Sequence, residues 1–190
     1  MSQSEVLVRD AEGLQELLSS VASQIARGRR TEAPLRLVGI RTRGVPIARR
    51  LAEALARILG APVPVGAIDI TLYRDDLYEA DRWPVLHGTE IPFVVDGAEI
   101  VLVDDVLFTG RTVRAALNAI CDLGRPAAIR LAVVVDRGHR EIPIQPDAVG
   151  LKLDTERAEQ VLVRVHPVDS IEEIVRVTEP ARQLRHPNGR

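Results

Sequence analysis

Residues 100–112 read IVLVDDVLFTGRT, and the order of their parts decides the fold. Ile100, Val101, Leu102 and Val103 are all branched and apolar, the pattern of a parallel strand covered on both faces. Asp104 and Asp105 follow where the strand is expected to leave the sheet, and open α/β sheets take their ligands at the carboxyl ends of strands. From Arg111 onward Val113, Ala116, Leu117, Ile120 and Cys121 recur at helical spacing, and Gly124 with Pro126 ends the run. The unit is therefore strand, acidic loop, helix.

Such a unit suits a phosphorylated sugar. Gly110 lets the backbone come close to a ligand, the amides of the helix start offer an anion site, and Thr109 and Thr112 add hydroxyl donors. Ionised carboxylates only accept hydrogen bonds, so Asp104 and Asp105 match neighbouring sugar hydroxyls, or water on a metal, and not the phosphate. An isolated Asp-Asp is ordinarily a solvated turn. An apolar strand, the pair and a Thr-Gly-x-Thr helix entry in this order point to a site instead.

Upstream the pattern repeats. Leu35 to Ile40 reads as a strand, Arg41-Thr42-Arg43-Gly44 as a loop, and Ile47, Ala48, Leu51, Leu55 and Ile58 as one face of a helix with Pro46 in its first turn. Two arginines beside a glycine can clamp phosphate oxygens, although a solvated charged turn accounts for them equally well without further context. Before this unit, Asp10 caps a helix whose stripe is Leu14, Leu17, Leu18, Val21 and Ile25. Val63 to Leu72 reads as a strand, followed through Gly88 by a polar stretch with little periodicity, the pattern of a lid or a disordered loop. Tyr78 and Trp83 within it read as packing or lid contacts rather than base-stacking platforms. Ile129 to Val135 is a further strand, residues 142–147 are irregular, and 159–165 and 171–177 alternate as late strands.

Composition sets the limits. At 190 residues the chain is one ordinary domain, expected over 1–178, with a polar tail over 179–190 expected to be disordered. Twenty-five basic and 27 acidic residues give a net charge of −2, so any contact with nucleic acid must rest on a local patch. The one cysteine, Cys121, excludes an intramolecular disulfide and a cysteine-rich zinc site, and its place in the helical stripe predicts a small core residue. The N-terminus is too polar for a signal peptide and no apolar run approaches a membrane span, so a cytoplasmic protein is expected.

Residues 101–112, VLVDDVLFTGRT, resemble the phosphoribosyl-pyrophosphate (PRPP) motif of type I phosphoribosyltransferases. VGIRTRGVPIARRLAE (38–53), GAIDITLYRDDL (66–77) and GRPAAIRLAVVVDRGHREIPI (124–144) carry the resemblance further, to the PyrR family of pyrimidine attenuation regulators that are also uracil phosphoribosyltransferases. It runs from the first helix to about Gly150. It implies an α/β fold with a mainly parallel central sheet, helices on both faces, and a small irregular hood from the terminal and 66–90 segments. It further implies Mg²⁺-dependent transfer of phosphoribose from PRPP to uracil, giving UMP and pyrophosphate. In that scheme Asp104 and Asp105 are the catalytic pair on the ribose hydroxyls, and Thr109, Gly110, Arg111 and Thr112 hold the 5′-phosphate. Arg41, Thr42, Arg43 and Gly44 receive the pyrophosphate together with Mg²⁺, which arrives on PRPP with no protein ligand assigned. Tyr73, Arg74, Asp75 and Asp76 flank a lid that keeps water from the reacting ribose carbon.

Asp136, Arg137, Gly138, His139 and Arg140 would form the base end, with His139 and Arg140 at positions associated with RNA. A structural or RNA role for His139 outweighs one as general base. The implied partners are PRPP and uracil, UMP or UTP as effectors, a pyrimidine-operon leader RNA, and further copies of the chain in a homo-oligomer; the lack of obvious edge-strand protection points the same way. The chain departs from the family where RNA is expected. Ser19, Ser20 and Ser23 replace basic or histidine residues, Gln145 stands for an arginine, and residues 150–155 read GLKLDT in place of a Gly-Lys-Asn-[Ile/Val]-Pro-Thr segment. Each lost positive contact lowers RNA affinity. Two alternatives stay open: a nucleotide-sensing regulator with little catalysis, and a transferase for another base such as hypoxanthine or orotate.

Overall fold

The computed structural model describes residues 4–29, 32–73 and 88–178. Its elements run β1 (Ser4–Arg9), α1 (Ala11–Arg27), β2 (Leu35–Ile40), α2 (Gly44–Leu59), β3 (Val65–Ile68), a 3₁₀ turn (Thr71–Tyr73), β4 (Glu99–Leu107), α3 (Arg111–Leu123), β5 (Ala128–Asp136), β6 (Ala148–Lys152), β7 (Gln160–Arg164) and β8 (Glu173–Thr178). Five strands form one sheet in the order β3-β2-β4-β5-β6, and every pairing is parallel. The alternation of side chains across a strand divides the core in two. Leu37, Val101, Val103, Ala132 and Val134 pack with α1 and α2, while Val38, Ile40, Ile100, Leu102 and Val133 pack with α3. Both faces are thus covered, as the unbroken apolar run at 100–103 requires.

Local chemistry sets the ends of these elements. The Asp10 carboxylate accepts the Gly13 amide at 2.9 Å and caps α1. Asp69 Oδ1 accepts the Thr71 amide at 2.9 Å, which turns the chain out of the sheet after Ile68. The strand expected over 63–72 is shortened to β3 for that reason. At the amino end of the sheet, buried Glu99 on β4 accepts from Arg130 Nη1 on β5 at 3.1 Å, and the same nitrogen donates to the Ile25 carbonyl of α1 at 3.1 Å. This pair ties two strands and a helix end together where no ligand is expected.

The hood differs from the sequence expectation. It is a three-stranded antiparallel sheet, β1-β8-β7, and residues 65–68 belong to the central sheet instead. β1 and β6 are strands that local periodicity does not announce: β1 is exposed along most of its length, and β6 is a short edge strand. Each edge of the central sheet is engaged at one residue. Gln24 of α1 acts as a surrogate strand, giving Nε2–H to the Val149 carbonyl at 2.8 Å and taking the Val149 amide at 3.1 Å on Oε1. Ala67 and Glu90 exchange two 2.8 Å backbone bonds along β3. The edges of this sheet are thus partly engaged, at Val149 and at Ala67.

Cys121 is exposed rather than in the core. The inward face of α3 is centred on Val113, Ala116 and Ile120, flanked by buried Ala115 and Ala119, and Cys121 lies beyond half-buried Leu117. Among the described residues no helix is long and apolar enough to cross a membrane. The lid residues Arg74, Asp75 and Asp76, with Tyr78 and Trp83, and the tail 179–190 lie outside the described residues.

Two glycines let α2 sit down on the sheet. A Cβ on Gly39 would lie 2.5 Å from Val45 Cα and 2.6 Å from the Gly44 carbonyl oxygen, and a Cβ on Gly44 would meet the Val103 carbonyl oxygen. All of these obstacles are backbone, so no rotamer change relieves them. Gly39→Ala is expected to lower the unfolding free energy by about 1–3 kcal/mol, measured by urea denaturation. An unchanged midpoint would show that the helix start can shift without cost.

Candidate active site

The strand order reverses between β2 and β4, since β3 lies on one side of β2 and β4, β5 and β6 on the other. A crevice opens at such a switch point, at the carboxyl ends of the strands. Here it has a defined cause. Pairing of β4 with β2 stops at Gly39↔Val103, whereas pairing with β5 continues through Asp104↔Val133 to Leu107↔Asp136. The carboxylate pair therefore stays in the strand, which runs on to Leu107 rather than ending at Val103 as the sequence reading expects, but its β2 side is open. A cleft of about 390 Å³ occupies that opening, lined by Arg41, Thr42, Arg43, Asp69, Thr71, Asp104, Asp105 and Thr112 among others.

Asp104 is buried and Asp105 half-buried. Asp104 Oδ1 accepts the Asp105 amide at 3.0 Å and Asp105 Oδ1 the Val106 amide at 2.9 Å. Burial, and then the charge of Asp105, push the Asp104 carboxyl well above the ordinary aspartate range. Burial also raises Asp105, partly offset by the Val106 amide and by the nearby Arg43 charge. Two desolvated carboxylates side by side gain from any ligand that brings hydroxyl donors or a cation.

The Arg41–Gly44 segment lies across the cleft, with a cis peptide between Arg41 and Thr42. Arg41 Nε donates to the Gly88 carbonyl at 2.8 Å, and Nη2 lies 3.2 Å from Glu90. Arg43 grips Asp169 of the hood, Nε to Oδ2 at 2.9 Å and Nη2 to Oδ1 at 2.7 Å. That pairing raises the Arg43 pKa and holds the Asp169 carboxyl below its ordinary range.

Thr109 to Thr112 form the entry to α3. Gly110 sits at φ 92°, with Ile142 3.5 Å from where a Cβ would stand; as N-cap it offers no side chain, and the Arg111 amide donates to Thr109 Oγ1 at 3.4 Å. The Thr109 carbonyl accepts the Glu141 and Ile142 amides at 2.9 and 3.2 Å, which joins this turn to the segment after β5. Arg111 Nε is 2.8 Å from Glu141 Oε2, and Arg157 contacts the same carboxylate.

Asp136 to Arg140 do not line the cleft. They stand beyond Thr109 and are largely committed to one another and to the backbone. Asp136 accepts the Gly138 amide at 3.0 Å and pairs with Arg140 at 2.6 Å. Arg140 donates to the carbonyls of Phe108 at 2.8 Å, Ile144 at 3.0 Å and Gly138 at 3.0 Å. Buried Arg137 stacks 4.1 Å from the Phe108 ring centroid and donates to Thr155 Oγ1 and the Glu156 carbonyl. Gly138 and His139 are both left-handed, at φ 73° and 60°, and His139 Nε2 lies 2.8 Å from the Thr155 carbonyl, which requires the proton on Nε2. Tyr73, the one described residue of the lid group, donates to Asp122 at the end of α3 at 2.7 Å.

Several participants escape sequence reasoning. Asp69 and Thr71 lie inside the 66–77 stretch and Thr155 inside 150–155, yet none of them is singled out there as a site residue; Phe108 lies within 100–112 as an apolar spacer, and Asp169 carries no motif signal at all.

A family model described as a phosphoribosyl transferase domain matches residues 10–166. The chain belongs to the phosphoribosyltransferase family. Within that family it is 50% identical to the bifunctional protein PyrR of Pelotomaculum thermopropionicum, over 92% of this chain and 97% of that one. It is 51% identical to the protein of the same name from Listeria monocytogenes, over 91% and 96% respectively, and so lies in the PyrR branch. A hypoxanthine phosphoribosyltransferase from Trypanosoma cruzi shares the fold, with a TM-score of 0.68 and 22% identity over 92% of this chain and 95% of that one. A hypoxanthine-guanine phosphoribosyltransferase from Bacillus anthracis does so with a TM-score of 0.67 and 16% identity, over 94% and 100%.

The raised Asp104 carboxyl gives a signed expectation. An unfolded aspartate titrates near about 3.9, so between that value and the raised folded one the native state holds the extra proton, and stability falls as pH rises through the window. Asp104→Asn removes this dependence. In a pH series of thermal melts the variant is expected to melt above the wild type at pH 7, with the gap closing as pH falls toward 4. The depressed Asp169 carboxyl, whose contribution is lost in acid, is common to both proteins and cancels. A wild type that melts higher at pH 7 would contradict the burial argument.

Proposed function

We propose that the protein transfers phosphoribose from PRPP to uracil, forming UMP and pyrophosphate. The observation that carries this reading is the convergence of the carboxylate pair, the arginine loop and Thr112 of the α3 entry on one cleft. The bond from the ribose C1 to the pyrophosphate oxygen breaks, the bond to uracil N1 forms, and the N1 proton is released. The protein's contribution is placement and electrostatics. Asp104 and Asp105 accept from the ribose hydroxyls, and their negative charge faces the cation-like sugar. Thr109, Gly110, Arg111 and Thr112 hold the 5′-phosphate at the amino end of α3. Arg41, Thr42, Arg43 and Gly44 hold the leaving pyrophosphate.

Among the described residues no group of three or more His, Cys, Asp or Glu side chains could hold a metal ion. Mg²⁺ commonly takes one or two carboxylates together with substrate phosphates, and the repelling pair at Asp104 and Asp105 fits that mode. Mg²⁺ carried on PRPP would neutralise the leaving pyrophosphate.

The base end is assigned to the backbone of Asp136 to Arg140, because the side chains of Asp136, Arg137 and Arg140 are engaged elsewhere. Residues 1–178 act as one unit, as a homo-oligomer in the cytoplasm, and exposed Leu72 and Val94 supply apolar surface for association. Asp104→Asn combined with Asp105→Asn is expected to cut kcat/KM for UMP formation by at least about 10²-fold while leaving the circular dichroism spectrum intact. A radiolabelled panel of uracil, hypoxanthine and orotate with PRPP and Mg²⁺ reads both turnover and the base used. Wild-type turnover in the double variant would sink the assignment.

Regulation through a pyrimidine-leader RNA, sensed by UMP or UTP, is a second activity that we propose is reduced in this chain, whose relatives are named bifunctional. Its RNA face is weakened. Ser19 and Ser23 turn their hydroxyls back to the carbonyls of Gln15 and Ser19, at 2.9 and 3.0 Å, and Arg140 is held by internal carbonyls. Binding of a leader hairpin at physiological salt is expected in the range of non-specific contacts, roughly micromolar or weaker. Tight binding that UMP strengthens in a gel-shift titration would overturn this part alone.

A further inference from the structure

The hood is fastened to α2 by two arginines seven residues apart, two helical turns on one face. Their partners come from a single turn between β7 and β8. Arg43 takes Asp169, while Arg50 donates to Glu172 at 2.8 Å and to Gln15 of α1 at 2.6 Å. Asp169 is itself fixed: its Oδ2 accepts the Val165 amide at 3.0 Å, and its own amide donates to the Val165 carbonyl at 2.9 Å. The two pairs differ in what lies beside them. Arg43 lines the cleft with Asp104, Asp105 and Thr112, and its charge reaches Asp105; Arg50 does neither.

Asp169 holds the guanidinium side-on, through Nε and Nη2, and among the described residues Nη1 has no partner. A guanidinium held in this way keeps a donor edge for a second oxyanion while its long side chain is fixed. We propose that Asp169 is a positioning residue for the pyrophosphate of PRPP. It acts through Arg43, setting the direction of the donors that Nη1 presents to the leaving group. The inference rests on the transferase reading above. It makes the hood part of the pyrophosphate site rather than a cover over it. It also predicts that Arg43 keeps Asp169 when pyrophosphate binds, instead of exchanging one anion for the other.

The test is calorimetric titration of pyrophosphate with Mg²⁺, alongside initial rates against PRPP, on the full chain. Asp169→Asn is expected to weaken pyrophosphate about tenfold and to raise the KM for PRPP by a like factor, the loss of one oriented charge-assisted hydrogen bond, with kcat nearly unchanged. In an Arg43→Ala background the same change adds nothing further, and Asp169→Glu recovers part of the loss. Arg43→Lys keeps the charge without the fork and shows a similar loss, so the proposal is also read with Asp169 itself intact. Glu172→Gln, which releases the other clamp, leaves pyrophosphate affinity unaltered. Unchanged or tighter pyrophosphate binding in Asp169→Asn overturns the inference, as do additive losses in the double variant or an equal loss in Glu172→Gln. A wild type that neither turns over nor binds pyrophosphate overturns the transferase reading with it.

Discussion

The constraint on which the site depends is the point where β4 stops pairing with β2. Up to Gly39↔Val103 the two strands share a parallel ladder, and beyond it β4 runs on with β5 alone. The separation is enforced by backbone packing, because the start of α2 presses onto this point: Gly44 lies against the Val103 carbonyl and Gly39 against Val45. The chain after β2 must then turn away as Arg41 to Arg43, facing the exposed edge of Asp104 and Asp105. A phosphate-binding loop and an acidic pair from segments some 60 residues apart become neighbours through two missing side chains, and the rest of the fold keeps them so.

What the sequence reveals follows from how local each signal is. The strand at 35–40, the helix of α1 with its Asp10 cap, and the helix from Arg111 to Leu123 are legible to within a residue or so, because periodicity and caps are short-range properties. The carboxylate pair and the Thr-Gly-Arg-Thr turn are legible for the same reason. β1 and β6 are not, since each is defined by what it pairs with: β1 by β8 at the far end of the chain, and β6 by β5 on one edge and the Gln24 amide on the other. Cys121 shows the limit of periodicity. It keeps the spacing of an inward stripe, yet three alanines turn the buried face of α3 toward Ala115 and Ala119 and leave it outside. Asp169 could not have been chosen from its surroundings in the sequence, because its significance lies in a partner 126 residues away.

β4 carries a buried acid at each end, and the contrast separates structure from chemistry. Glu99 at its start is wholly buried and meets Arg130, in a pair whose charges are nearly inaccessible to water. Breaking such a pair is costly because it strands the partner, so its place is where nothing needs to bind. Asp104 at the other end is nearly as buried, but its closest described charge is another carboxylate. A fold selected for stability alone would not keep two acids so close and so dry, and perturbed carboxylates of this kind mark sites where the missing partner is a ligand. Arg43 stands near enough to temper Asp105 but is held on the hood by Asp169 and does not collapse onto it. That restraint has a physical consequence. Were Arg43 free to close onto the acidic pair, the cleft would neutralise itself, and sugar hydroxyls and pyrophosphate would each have to displace an ion pair before binding. By giving the guanidinium a carboxylate outside the cleft, the hood keeps both halves of the site charged, separated and open to an anionic sugar phosphate.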